Sequence, residues 1–181
     1  INPGVHSLYT VGTDGMGRRR VTDGQYSDYS PQWSPDGNLI LFTQSLASYK
    51  FFGDRTPEER QLVAASAEIM VLNLEDGTKM PITQNDFQDL DPSWNADGSE
   101  IFYLQDDGQR KTFFRQTLDE TDAIAVADGD VVSHPRLPYR TRLSPNGRFL
   151  AYHKEVNGVY GIYIYDLELE QERRLVGAST E

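Results

Sequence analysis

Apolar residues in this chain come in short runs punctuated by Asp-Gly and Asn-Gly, the pattern of strands joined by tight turns. The clearest case is Tyr29-Ser-Pro-Gln-Trp-Ser-Pro-Asp-Gly-Asn-Leu-Ile-Leu-Phe42. Asp91-Pro-Ser-Trp-Asn-Ala-Asp-Gly-Ser-Glu-Ile-Phe-Tyr103 repeats it, and Tyr139-Arg-Thr-Arg-Leu-Ser-Pro-Asn-Gly-Arg-Phe-Leu-Ala-Tyr152 repeats it in worn form. Each reads as strand, turn, strand, because Gly accepts the positive φ that a tight hairpin turn needs. The unbroken apolar runs Leu39–Phe42 and Phe149–Tyr152 predict strands covered on both faces.

A second hairpin follows the first in the repeat. Glu68–Leu74 and Thr78–Thr83 flank the turn Glu75-Asp-Gly77, and Gly161–Leu167 pairs with Gln171–Val176. Ser7–Val11 and Arg18–Thr22, around Asp14-Gly15, form a like pair near the N-terminus. Gly37 and Gly98 are 61 residues apart, and Gly98 and Gly147 are 49 apart. Without an insertion over residues 46–67, the first interval falls near the ~40–45 residues of a four-stranded propeller blade. The chain therefore divides into a half blade over 5–22 and three full blades over 28–83, 89–127 and 137–176. That makes an all-β chain of about three and a half four-stranded antiparallel blades. One short helix is expected in the insertion. Thr56 would be its N-cap, Pro57 its first residue, Glu59 the third-position acid, and Arg60–Ala65 its body. In a four-stranded meander the insertion emerges beside the interblade loops Asp23–Ser30 and Gln84–Asp91, on the face where binding is expected.

Composition narrows the function classes. A net charge of −11 disfavours nucleic acid and anionic membranes as partners. There is no apolar run long enough to span a membrane and no Cys to serve as nucleophile or staple. The chain starts at Ile1, which suggests that an upstream segment has been removed.

The motif Asp28-x-x-Pro31-x-Trp33-Ser-Pro-Asp-Gly37 with Leu39-Ile-Leu-Phe42 resembles the repeat of TolB-type β-propellers and their WD-like relatives. Asp89-x-Asp-Pro92-x-Trp94 and the strand ends Arg20-Val-Thr22, Ile82-Thr83 and Arg174-Leu-Val176 carry the same resemblance. It covers nearly the whole chain outside the insertion. The third copy departs from it, with Leu143 for Trp and Tyr139-Arg-Thr-Arg142 before it. Propellers have about 4–8 blades. The missing blades are therefore expected from the rest of a longer parent chain, or from self-association. The resemblance also implies an exported, periplasmic or envelope location and a protein partner.

Several residues could carry binding. Asp28, Asp86, Asp89 and Asp91 gather at the inner ends of neighbouring blades. Asp in such turns cages backbone N–H groups. The functional alternative is an acidic mouth for a basic partner loop or a divalent cation in the central channel, and no other cofactor is expected. Arg136, Arg140 and Arg142 form a cation cluster, with Arg140 and Arg142 on one strand face. They suit an acidic small ligand or an ion pair with a neighbouring acidic loop. His134 lies in the interblade loop Ser133–Arg136, as a structural hydrogen-bonding residue or a ligand. Tyr26 and the insertion aromatics Tyr49, Phe51 and Phe52 complete the predicted binding face. The chain lacks a Gly-x-Ser-x-Gly elbow.

The expected function is a non-catalytic TolB-like binding scaffold, a segment of a larger propeller that takes protein or small-ligand partners. Two alternatives stand beside it. One is the propeller of a prolyl-oligopeptidase-type serine peptidase, with its catalytic domain outside these residues. The other is an oligogalacturonate-lyase-like, polysaccharide-active propeller with a central metal.

Overall fold

In the computed structural model the described residues are 5–46, 56, 58, 66–107, 110–120, 122–129 and 141–177. Among them the fold is a partial β-propeller of short antiparallel strands. A two-stranded sheet pairs β1 (Tyr9–Thr10) with β2 (Arg19–Arg20). The first full blade is a four-stranded meander of β3 (Ser27–Trp33), β4 (Leu39–Ser45), β5 (Glu68–Asn73) and β6 (Lys79–Pro81). The second consists of β7 (Gln88–Trp94), β8 (Glu100–Asp106), β9 (Lys111–Thr117) and β10 (Ile124–Gly129). The third has β11 (Arg142–Leu143), β12 (Phe149–Val156), β13 (Val159–Asp166) and β14 (Gln171–Gly177). The half blade and three full blades thus match the order read from the repeat. The last strand of the second blade runs to Gly129, past the expected blade end at 127, with a bulge between Ala125 and Ala127. Of the predicted helix, Thr56 and Glu58 are described and Glu58 is helical. The rest of the insertion between Leu46 and Ser66 lies outside the described residues.

The turns explain why the repeat forms. Gly37, Gly98 and Gly147 have φ of +77°, +77° and +71°. In each turn their N–H donates to the carbonyl three residues back, on Ser34, Asn95 and Ser144. A side chain then clamps each turn. Asp36 Oδ1 accepts from Asn38 N, Asp97 Oδ1 from Ser99 N, and Asn146 Oδ1 from Arg148 N. Asn in the third copy supplies the same acceptor as Asp, so the worn sequence builds the same turn.

The chain divides into two compact units, Ile1–Pro92 and Ser93–Glu181. In the first, the pairs Ile40↔Leu72 and Phe42↔Met70 place four apolar side chains on one sheet face, where Leu8 of the half blade joins them. The other face buries Leu41, Thr43, Ile69 and Val71 as completely, so β4 is covered on both sides, as Leu39–Phe42 predicted, and β5 beside it is covered likewise. In the second unit, Leu104 and Phe113 pair across β8–β9 and pack with Leu150, Tyr152 and Tyr163 of the third blade. The Phe113 and Tyr152 rings meet at 5.4 Å between centroids, tilted by 53°. Trp33 and Leu143 hold equivalent register positions, opposite Ile40 and Leu150. The two motif tryptophans nevertheless differ: Trp94 is 9% exposed and Trp33 is 57% exposed.

Candidate functional site

The first unit brings the base of the insertion beside the interblade loops on either side of its blade. Ser27 at the start of β3 pairs with Ser45 at the end of β4, so the base of the insertion sits beside the interblade loop leading into β3. Leu46 N donates to Ser66 Oγ at 3.0 Å and ties the two ends of the insertion together. Ala67 O then accepts a 2.7 Å bond from Asp89 N at the start of β7. Insertion base and interblade loops therefore share one end of the sheet, as the meander topology requires.

Two buried carboxyls mark this end. Asp28 and Asp89 hold the same repeat position, each the second residue of a blade's first strand, and both are buried. Asp28 N donates to His6 O at 2.9 Å. Its Oδ1 accepts from Gln44 Nε2 at 2.7 Å, and its Oδ2 has no hydrogen-bond partner. Burial raises the Asp28 pKa, and the Gln44 bond offsets part of the rise. Asp89 Oδ2 accepts from Asn85 Nδ2 at 2.7 Å. Asn85 also bridges to Glu68, whose Oε1 accepts the Asn85 N–H at 3.0 Å and whose Oε2 accepts from Thr83 Oγ1 at 2.6 Å. Burial, reinforced by the Asp89 charge, raises the Glu68 pKa. A carboxyl with a raised pKa can hold a proton and donate, so this end offers acceptors and pH-dependent donors together.

The chain bends sharply just beyond each carboxyl. Ser30 and Asp91, two residues on, have φ of +54° and +50° immediately before Pro31 and Pro92. A left-handed backbone at a non-glycine residue costs about 1 kcal/mol. Both copies keep it, so it is a built feature of the repeat rather than a local accident.

The predicted site residues fall in three groups. Tyr26, Asp28, Asp86 and Asp89 lie in the first unit. Tyr26 is exposed under Lys79, whose Nζ stands 5.6 Å from the ring centroid and 3.6 Å from Asp23 Oδ2. Asp86 is exposed, unlike Asp28 and Asp89. Arg142 lies in the second unit, exposed, with Nη1 donating to Thr141 O at 3.0 Å. Tyr49, Phe51, Phe52, His134, Arg136 and Arg140 lie outside the described residues.

Sequence reasoning missed Gln44, Glu68, Asn85 and the threonines Thr22 and Thr83. The threonines left a signal. Each lies six residues before a buried Asp, and each Oγ1 accepts a backbone N–H, from Leu8 at 3.0 Å and from Ile69 at 2.9 Å. Gln44 and Glu68 left none, because Gln44 acts through its cross-strand position opposite Asp28 and Glu68 through bonds to Thr83 and Asn85 far along the chain.

Among the described residues, no group of three or more His, Cys, Asp or Glu converges to hold a metal ion. His6 Nδ1 lies 3.2 Å from Ser27 Oγ, but Ser27 is buried and the neighbouring Asp28 carboxylate bonds to Gln44. This pair lacks the exposed hydroxyl and the orienting carboxylate of a catalytic triad. His153 is half-buried with Nε2 unpartnered, and burial, then the Lys111 charge, lowers its pKa. Among the described residues, no helix is long and apolar enough to cross a membrane.

Together, the four-stranded meanders, the repeated Asp-x-x-Pro-x-Trp strand and the clamped Gly turns give the fold of a TolB-type β-propeller. TolB from Acinetobacter baumannii superposes with a TM-score of 0.69 at 20% identity, over 94% of this chain and 37% of that one. In sequence, the chain is 26% identical to an uncharacterized peptidase, YuxL, of Bacillus subtilis over 115 residues, 53% of this chain. It is 42% identical to dipeptidyl-peptidase 5 of Porphyromonas gingivalis over 41 residues, 23% of this chain. It spans only 18% and 6% of the lengths of these two relatives. The chain matches no family model.

Proposed function

We propose that these residues form the non-catalytic propeller of a serine-peptidase-type protein whose reacting groups lie outside residues 1–181. The observation that carries this reading is the sequence likeness to two proteins named as peptidases, one of them over 115 residues. Its task would be to admit and hold peptide through the loops around Asp28 and Asp89, which carry the exposed carboxyls Asp23 and Asp86 and the exposed aromatic Tyr26. A cationic or hydrogen-bonding peptide group fits this chemistry. The test is to label full-length protein with a fluorophosphonate probe and assay it against aminoacyl-coumarin dipeptides. The reading expects one labelled serine outside these residues and hydrolysis that stops on labelling. The absence of both label and hydrolysis would overturn it.

The superposition on TolB at a TM-score of 0.69 favours a second reading, an exported protein-binding scaffold without peptidase chemistry. Under that reading the full-length protein takes no label, fractionates with exported proteins, and captures a protein partner through the same loops.

A further inference from the structure

Within the Ser93–Glu181 unit, a groove of about 290 Å³ opens between β10 of the second blade and the turns of the third. Its apolar lining is Phe102, Ile124, Val126 and Leu167. Ile124 is 53% exposed and stands at the mouth of this groove beside Val126 and Leu167, so the apolar surface left open is a patch rather than one scattered side chain. Among the described residues β10 is also the outermost strand of its sheet, hydrogen-bonded to β9 alone. Its outer edge therefore presents backbone N–H and C=O groups to whatever lies alongside.

The rim is charged, and its cations are already engaged. Arg115 Nη1 donates to Glu100 Oε1 at 3.2 Å. Arg148 grips Asp166 through Nε and Nη2, the shorter bond at 2.8 Å, and reaches Glu168 with Nη1 at 3.0 Å. Glu170, exposed at the same rim, is paired with no cation among the described residues. The uncompensated charge of the rim is therefore negative, as is that of the whole chain at −11.

We propose that this groove docks an extended peptide segment of alternating apolar and basic side chains. An apolar side chain would cover Ile124 and Leu167, and a Lys or Arg would meet Glu170. Strand addition at the β10 edge supplies the backbone bonds, and the rim charge selects a basic partner over an acidic one. The proposal does not require a catalytic domain, so it stands or falls separately from the peptidase reading.

The test uses full-length protein and two fluorescein-labelled hexapeptides, one alternating leucine with lysine and one alternating leucine with glutamate. Fluorescence anisotropy should show saturable binding of the leucine–lysine peptide only. Ile124→Asp and Glu170→Lys should each weaken it roughly ten-fold, whereas Glu75→Lys, an exposed charge reversal in the other unit, should change it by less than about two-fold. Glu170→Lys, at an exposed turn position, carries the test alone if Ile124→Asp fails to fold. Three results would overturn the proposal. One is the absence of saturable binding. Another is an equal loss with Glu75→Lys, which would mean attraction by net charge alone. The third is dimerisation that Ile124→Asp abolishes, which would assign the groove to a second copy of the chain.

Discussion

Gln44 Nε2 donates to Asp28 Oδ1 at 2.7 Å, while Asp28 Oδ2, equally buried, has no partner. Burial makes the charged carboxylate costly by more than the bonds from Gln44 and Thr22 recover, and this is why the pKa rises above its ordinary value of 3.8.

The first prediction follows from the sign of that shift. Above the ordinary carboxylate range, the folded state keeps a proton that the unfolded chain has released. The contribution of Asp28 is then complete at low pH and is lost as pH rises through its raised folded value. Carboxylates held low, such as Asp166 beside Arg148 and Asp97 clamped by Ser99, act oppositely and lose stability as pH falls. A difference measurement isolates Asp28 from them. Asp28→Asn should gain on the wild type in urea midpoint as pH is raised from about 4 to about 8. A constant difference across that range would show that the carboxyl is not perturbed.

The second prediction concerns the three repeat turns. Gly37 has open space where a Cβ would stand, and at Gly147 a Cβ would meet Ala96 N at an ordinary 3.6 Å. Substitution at these two sites therefore strains the backbone rather than creating a clash. Since φ is +77°, +77° and +71°, Gly37→Ala, Gly98→Ala and Gly147→Ala should each destabilise by about 1 kcal/mol in urea denaturation. Well-separated costs would mean that the third copy is not the same turn as the others.

These turns were the most legible part of the chain. Asp-Gly and Asn-Gly dictate local backbone geometry, so the hairpins, strand order and blade count could be read from neighbouring residues alone. One turn went unread for no physical reason. Asn157-Gly158, both at positive φ, closes β12 onto β13 at Val156↔Val159 and carries the strongest short hairpin signal. The candidate site was less legible. Asp28 and Asp89 were visible as a repeated residue, but whether an Asp is buried or exposed depends on contacts far away in sequence. Asp86, only three residues before Asp89, is exposed where Asp89 is buried. The groove at Ile124 was invisible, because it depends on where the turns of one blade fall against the outer strand of another.

The third prediction separates the two motif tryptophans. Identical motif positions suggest equal importance, but Trp94 is 9% exposed and Trp33 is 57% exposed. Trp94→Ala should destabilise by about 3–5 kcal/mol, the range for deleting a buried aromatic. Phe42→Ala, at a site with no exposure, should fall in the same range. Trp33→Ala should cost less, about 1–2 kcal/mol, since more than half of its surface stays in water. Thermal melts of the three variants in full-length protein check the order. A large loss at Trp33 would mean that a part of the protein beyond these residues covers it.

The fourth prediction tests how the third blade closes its outer hairpin. Arg148 engages Asp166 through two nitrogens, with side-chain exposures of 34% and 13%, whereas its other partner, Glu168, is 65% exposed. Forked geometry and partial burial should make the first pair worth more than the second, because exposed pairs are weakened by solvent and by side-chain entropy. A double-mutant cycle should give a measurable coupling for Arg148 with Asp166 and a clearly smaller one for Arg148 with Glu168. Raising salt to about 1 M, where screening acts within ~3 Å, should erase the second coupling and leave most of the first. If both couplings vanished together, the fork would contribute no more than an ordinary surface pair. The register Phe149↔Asp166 would then rest on backbone bonding and on packing around Leu150.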